Sequence, residues 1–294
     1  MSKKTILRLR RFPVTILTKD LRWLVALKAE AKPIIKALNL ERISSHVTYP
    51  IYKDKMNMNW LIISGVGQKN AASATKFLSD LSCAKRFCVW VNIGIAGSSI
   101  GSYGSLFLID KITQVSSNQC FYLQSVVKTK LRKGELMTVD KPMFEYSNFP
   151  LVDMEAAAFI EVATKFSYRE LVVVMKVVSD GPHNPASNLT SMAVSELISK
   201  NIPSIFEYLE KVLSLADLEK ERFKMPSEYE DILVKWHFTV AQSYELKKLI
   251  TRYRVAMPSL DIIDRIKESK SSREVIKFLR NDLEKYEIDW NKTW

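Results

Sequence analysis

Apolar residues along this 294-residue chain fall into two alternating patterns. Predominantly apolar runs at residues 23–27, 60–64, 87–93, 106–112, 120–127 and 171–178 predict strands. Between them, apolar positions recur every three or four residues over 34–38, 70–81, 154–166 and 192–213, which predicts helices. Strands that are apolar on both faces and alternate with helices predict an α/β fold. The architecture expected is three layers, a mixed but mostly parallel sheet flanked by helices. Past residue 213 the strand-like runs stop, charges become dense, and helical periodicity covers 229–253 and 260–286, broken by Pro226 and Pro258. The expected organisation is a basic N-terminal arm at 1–21, an α/β domain at 22–213 and a C-terminal helical extension at 214–294.

Composition alters this little. With 47% hydrophobic and 26% charged residues the chain is an ordinary globular protein, and no apolar run reaches the roughly 18 residues of a membrane span. Cys83, Cys88 and Cys120 form no CxxC motif, and His46, His183 and His237 are scattered, so neither a disulfide framework, a metal site nor a cofactor is expected. A reducing, cytoplasmic compartment fits this cysteine usage. The net charge of +12 is uneven. Lys3, Lys4, Arg8, Arg10, Arg11, Lys19 and Arg22 crowd the first 22 residues against Asp20 alone, whereas 214–294 is nearly neutral. A solvated basic arm explains this, and neither a nucleic acid nor a membrane is the expected partner.

Glycine changes the picture more. Of only eight, seven (Gly65, Gly67, Gly94, Gly97, Gly101, Gly104 and Gly181) sit in segments where a predicted strand ends, and Gly134 is the exception. Ligands of open α/β sheets bind at that carboxyl edge, where glycine lets backbone come close. Gly65-Val66-Gly67 is no dinucleotide fingerprint, because the spacing fails at Asn70, and there is no GxxxxGK[ST] loop. Three carboxylates, Glu30, Glu155 and Asp180, follow three different strands. Singly, each has an ordinary explanation: a first-turn helical residue, a charge at a helix N-terminus, a turn cap. Together they mark one rim of the sheet.

The ordered segments VALKAEA (25–31), SGVGQKNAA (64–72), NIGIAGS (92–98), VDMEAAA (152–158) and VVSDG (177–181) resemble the nucleoside phosphorylase/nucleosidase superfamily. The similarity is greatest to its methylthioadenosine/S-adenosylhomocysteine nucleosidase branch and spans about Leu24 to Leu213. It implies a hydrolase that cleaves the N-glycosidic bond of a purine nucleoside or related metabolite. Asp180 then delivers a proton to N7 of the leaving purine, and Glu30 positions and deprotonates the attacking water. Glu155 grips the 2′ and 3′ hydroxyls over Met154. Ala96 and Gly97 form the purine floor, and Ser179 and Met143 complete the substrate contacts. Ile95 stands where the branch carries a small polar residue, and the stretch from Ser98 to Val152 is shorter than in familiar nucleosidases. The phosphorylases of the superfamily carry an arginine before the glycine-rich segment, where this chain has Asn92. A phosphorylase using Lys28 or Lys69 to hold phosphate is the alternative enzyme. A non-catalytic scaffold acting through its C-terminal helices, with a protein partner there, is the alternative class. The resemblance also implies a homo-oligomer.

Overall fold

A computed structural model describes the protein over residues 19–43, 48–99, 101–143, 150–224 and 226–285. Most of the basic arm, 1–18, and His46 lie outside the described residues. The chain forms two compact units, residues 1–220 and 221–294. The helix that crosses residue 213, Ser191–Arg222, runs on without a break.

The first unit holds a ten-stranded sheet. Its strands are β1 (Leu21–Val25), β2 (Glu41–Arg42), β3 (Ile51–Lys53), β4 (Asn59–Ile63), β5 (Val89–Ser98), β6 (Leu106–Gln114), β7 (Gln119–Tyr122), β8 (Arg132–Thr138), β9 (Leu151–Asp153) and β10 (Val172–Asp180). Helices α1 (Lys28–Leu38) and α4 (Ser191–Arg222) cover one face. Their Ile34, Leu38, Leu197, Ile198 and Phe206 pack on Trp23, Val91, Ile93 and Met175. Helices α2 (Gln68–Ser82) and α3 (Ala156–Phe166) cover the other face, placing Ala71, Ala74, Leu78, Phe159 and Ile160 against Leu24, Ile62, Trp90 and Val174. The three layers are those expected; the sheet is not mostly parallel. Five strand pairings are parallel (β1–β4, β1–β5, β5–β10, β6–β8, β8–β9) and five antiparallel. The antiparallel half comes from hairpin returns, β2–β3–β4 and β6–β7, and from β9 and β6, which return beside β5 and β10. Burial on both faces makes a strand apolar whichever way its neighbour runs, so the apolar runs could not report direction.

Strands β5, β10, β6, β8 and β9 pair in turn and close into a ring, because β9 pairs back with β5. The ring explains Gly134, the glycine without a place in the strand-end pattern. A Cβ there would come within 2.9 Å of Leu151 and of Phe107, which fill the interior. It also corrects the expectation that the strand ends before residues 94–97. Gly94 to Gly97 continue β5, since β10 pairs with each of them and β9 with Gly97.

The second unit consists of α5 (Ser227–Lys235), α6 (Val240–Ala256), α7 (Ile262–Ile266) and α8 (Ser272–Lys285), around a core that includes Ile232, Trp236, Leu246, Ile250, Tyr253 and Leu279. The helix expected over 229–253 is two helices. Thr239 caps α6, its hydroxyl accepting from Gln242 N–H at 3.3 Å while the Gln242 side chain accepts from Thr239 N–H at 2.9 Å.

Arg22, counted with the basic leader in sequence, is only 2% exposed. Its guanidinium donates to Ser82 Oγ at 2.6 Å, to Ser82 O at 3.3 Å and to Met58 O at 3.0 Å, fastening the C-terminal end of α2 to β1. Lys19, by contrast, makes an exposed ion pair with Asp217. Replacing Arg22 by Met leaves these buried acceptors unpaired and is expected to cost about 2–4 kcal/mol, read as a lower urea midpoint. Lys19→Ala, which removes only a solvated pair, is expected to change stability by less than about 1 kcal/mol.

Candidate active site

The carboxyl ends of β1, β5, β9 and β10 meet around a cavity of about 240 Å³. Glu30, Ala96, Gly97, Met143, Met154, Glu155, Ser179 and Asp180 all line it. Every residue singled out from sequence as catalytic or substrate-binding thus reaches one cavity. Lys28 and Lys69 do not line it and are exposed, and the described lining contains no lysine or arginine.

Glu30 occupies the first turn of α1 and folds back over it. Its Oε2 accepts from Ala26 N–H at 3.0 Å and Leu27 N–H at 2.8 Å, and its Oε1 accepts from Ile95 N–H at 2.9 Å. The ordinary explanation, a first-turn carboxylate serving its own helix, is therefore also true of it. Burial pushes its carboxyl above the usual value; the Ile95 N–H, the Lys176 ammonium and the Leu27 and Ala26 N–H groups oppose that and do not cancel it. Gly94 makes this placement possible. A Cβ at that position would meet Glu30 Oε1 at 2.9 Å and Lys176 Nζ at 3.3 Å.

Glu155 precedes α3, and its Oε1 accepts from Gly67 N–H at 2.7 Å. Gly67 has φ +103°, a backbone conformation that side chains disfavour, and it opens α2 with its N–H turned to the carboxylate. Burial raises the Glu155 carboxyl to about 7, reinforced by the charge of Asp153 and opposed by Lys176 and the Gly67 N–H.

Asp180 ends β10 and is 9% exposed. The Ser179 hydroxyl donates to its Oδ1 in a very short contact. Gly181 follows by necessity, since a Cβ there would lie 2.4 Å from Ser98 O.

Two residues of the site escaped the sequence reading. Lys176 is a fully buried ammonium, 1% exposed, beneath Glu30 and Glu155. Its Nζ donates to Asp153 Oδ2 at 2.8 Å. Asp153 in turn accepts from the Thr138 hydroxyl at 2.7 Å and from Ala156 N–H at 2.9 Å. Burial works against the Lys176 charge, but Asp153, Glu155 and Glu30 outweigh it and hold its pKa above the ordinary lysine value. The signal was a lone lysine in Val172–Asp180, a strand buried along its whole length. Such a charge needs a buried counter-charge, and Asp153 stands two residues before Glu155. The floor thus sets three carboxylates against one ammonium. Among the described residues no group of three or more His, Cys, Asp or Glu is arranged to hold a metal ion, and no helix is long and apolar enough to cross a membrane.

The sequence matches no protein-family model and no curated protein. Solved structures do match it. The 5′-methylthioadenosine/S-adenosylhomocysteine nucleosidase of Campylobacter jejuni is 17% identical, covers 66% of this chain and 99% of its own, and has a TM-score of 0.53. The Helicobacter pylori enzyme, solved with butyl-thio-DADMe-Immucillin-A, is 15% identical over 67% of this chain and 98% of its own, with a TM-score of 0.52. The Colwellia psychrerythraea enzyme, solved with adenine, is 18% identical over 66% and 96%, with a TM-score of 0.50. Over about two thirds of its length, this chain has the fold of the methylthioadenosine/S-adenosylhomocysteine nucleosidases.

Proposed function

We propose that the protein is an N-glycosidase that hydrolyses a purine nucleoside or a related metabolite. The observation that carries this is the convergence of Glu30, Glu155 and Asp180 on one cavity that also holds an apolar floor, Ala96 and Gly97. The purine is supported by the adenine in the Colwellia structure, at the level of shared fold. A cytoplasmic homo-oligomer, with the helical unit free to engage a protein partner, completes the proposal.

The roles follow from the placement. Water attacks C1′ and gives a proton to Glu30. A carboxylate has about four acceptor positions. Ala26, Leu27 and Ile95 N–H groups occupy three, fix its orientation, and leave one for the water. Its raised pKa makes it a stronger base than a solvated glutamate. As the C1′–N9 bond breaks, its electron pair passes to the purine and Asp180 donates its proton to N7. Positive charge develops on the sugar over a floor whose three carboxylates exceed its single ammonium, and such fixed charge favours the transition state. Glu155 accepts hydrogen bonds from the sugar hydroxyls with the oxygen that Gly67 does not hold. Lys176 acts through the carboxylates: without it the like charges of Glu30, Asp153 and Glu155 repel one another. The same excess of negative charge, with no cation in the described lining, opposes phosphate as the nucleophile.

A panel of nucleosides, incubated with and without phosphate and assayed for released base, tests the proposal. Base release that needs no phosphate is expected, and release strictly dependent on phosphate, with ribose 1-phosphate as product, would replace hydrolysis by phosphorolysis. Asp180→Asn is expected to lower base release by about 10²–10⁴-fold with folding intact, because an amide has no acidic proton to give. Glu30→Gln is expected to bind substrate at nearly wild-type affinity and to release base slowly. A Glu30→Gln protein that instead gains phosphate-dependent activity overturns the role of water. The pH dependence has a definite sign. Only the carboxylate form of Glu155 carries the charge that favours a developing ribosyl cation, so kcat/KM is expected to fall about tenfold per pH unit below about 7, the value to which burial raises this group. In Glu155→Gln that limb disappears along with most of the activity, and a limb that persists unchanged belongs to another group.

A further inference from the structure

We infer that Gln68 is a positioning residue that ties the wall formed by Val139, Pro142 and Met143 to the Glu155 side of the cavity, through Asp140. The inference rests on the nucleosidase reading above. It starts from a chain of four side chains. Ser117 O–H donates to Gln114 Oε1 at 2.8 Å, Gln114 Nε2 donates to Gln68 Oε1 at 2.8 Å, and Gln68 Nε2 donates to Asp140 Oδ1 at 2.5 Å. The ionised carboxylate at the end can only accept. Gln68 must therefore turn its amide nitrogen to Asp140 and its oxygen to Gln114, which fixes the direction of every bond in the chain.

The chain joins two parts of the site. Gln68 is the first residue of α2, directly after Gly67, whose N–H holds Glu155. Asp140 belongs to the segment that leaves β8, and Val139, Pro142 and Met143 from that segment line the cavity. Val139 is buried, and its N–H donates to Asp153 O at 2.9 Å. Beyond it, Lys141, Pro142 and Met143 make no hydrogen bond to another described residue. Asp140 is then the last anchor before Pro142 and Met143 in the cavity wall. Two consecutive residues of the α2 N-terminus, Gly67 and Gln68, thus hold Glu155 and this wall at one spacing. Neither Gln68 nor Asp140 lines the cavity, so this action is on the wall and not on the reacting atoms.

The test uses the full chain in four forms: wild type, Gln68→Ala, Asp140→Ala and the double variant, with Gln68→Lys as the conservative rescue. Gln68→Ala is expected to speed amide hydrogen exchange at Lys141 and Met143 and to leave β8 unchanged. It is expected to raise KM for the cleaved nucleoside and Kd for adenine about three- to tenfold, the effect of one partly exposed charge-assisted hydrogen bond, with kcat within about twofold. The double variant should be no worse than either single one. Gln68→Lys, which still donates to Asp140, should restore both exchange and KM. Unchanged exchange in Gln68→Ala, additive losses in the double variant, or a fall in kcat at constant KM each overturns the inference. A wild-type protein that neither binds adenine nor cleaves any nucleoside refutes the nucleosidase reading instead, and the exchange measurement still decides whether Gln68 holds this segment.

Discussion

A lysine ammonium buried beneath a ligand cavity is tolerated only if fixed charge surrounds it, and the site of this protein is organised around that requirement. Lys176 lies in β10, the strand between β5 and β6 in the closed ring, with Asp153 at 2.8 Å as its direct partner and Glu30 and Glu155 close enough to hold its charge in place. Asp153 can serve because β9 runs beside both β5 and β8, which delivers the Thr138 hydroxyl and the α3 N-terminus to the same carboxylate. The closed ring and the buried charge therefore depend on each other. Without β9 in the ring, Asp153 would not reach Lys176, and without Asp153 the ammonium would have no direct ion-pair partner in a strand whose other residues up to Val178 are apolar.

The same arrangement makes the cavity reactive at a measurable cost. Glu155 ionises near pH 7 in the folded chain and near its ordinary value of 4.5 when unfolded. Between those values the folded protein holds more protons at this position than the unfolded one, so the contribution of Glu155 to stability is lost as pH rises from about 4.5 to about 7. A surface carboxylate would carry no such penalty. What burial gives in return is a negative charge with little water around it, aimed at the place where a ribosyl cation would form.

Much of this was legible in sequence, for reasons that differ by residue. The apolar runs located most of the long strands because those strands are buried on both faces, and Glu30 and Asp180 were legible because each follows such a run, whereas Glu155, which follows the short β9, was legible only through the resemblance that VDMEAAA carries. Strands β2, β3 and β9 were not, being two or three residues long. Residues 94–97 were read as the end of a strand from their glycines, whereas Gly94 admits Glu30 and Lys176 to the face of a continuous strand. Direction in the sheet was illegible because burial alone does not encode it. Lys176 was passed over because a single charge inside an apolar run was read as part of the run.

Glu30 shows why the ordinary and the functional explanation of a residue need not compete. A carboxylate that accepts from the N–H groups at the start of its own helix satisfies donors that would otherwise be left unpaired. Those bonds also remove the freedom of the side chain. The third, from Ile95, comes from the strand that carries the floor of the cavity, so the carboxylate is fixed relative to whatever rests on that floor. The contact is made by the backbone, so it does not depend on the Ile95 side chain. A general base is effective in proportion to how well it is held before the reaction begins. The bonds that make Glu30 a helix cap are the ones that hold it still.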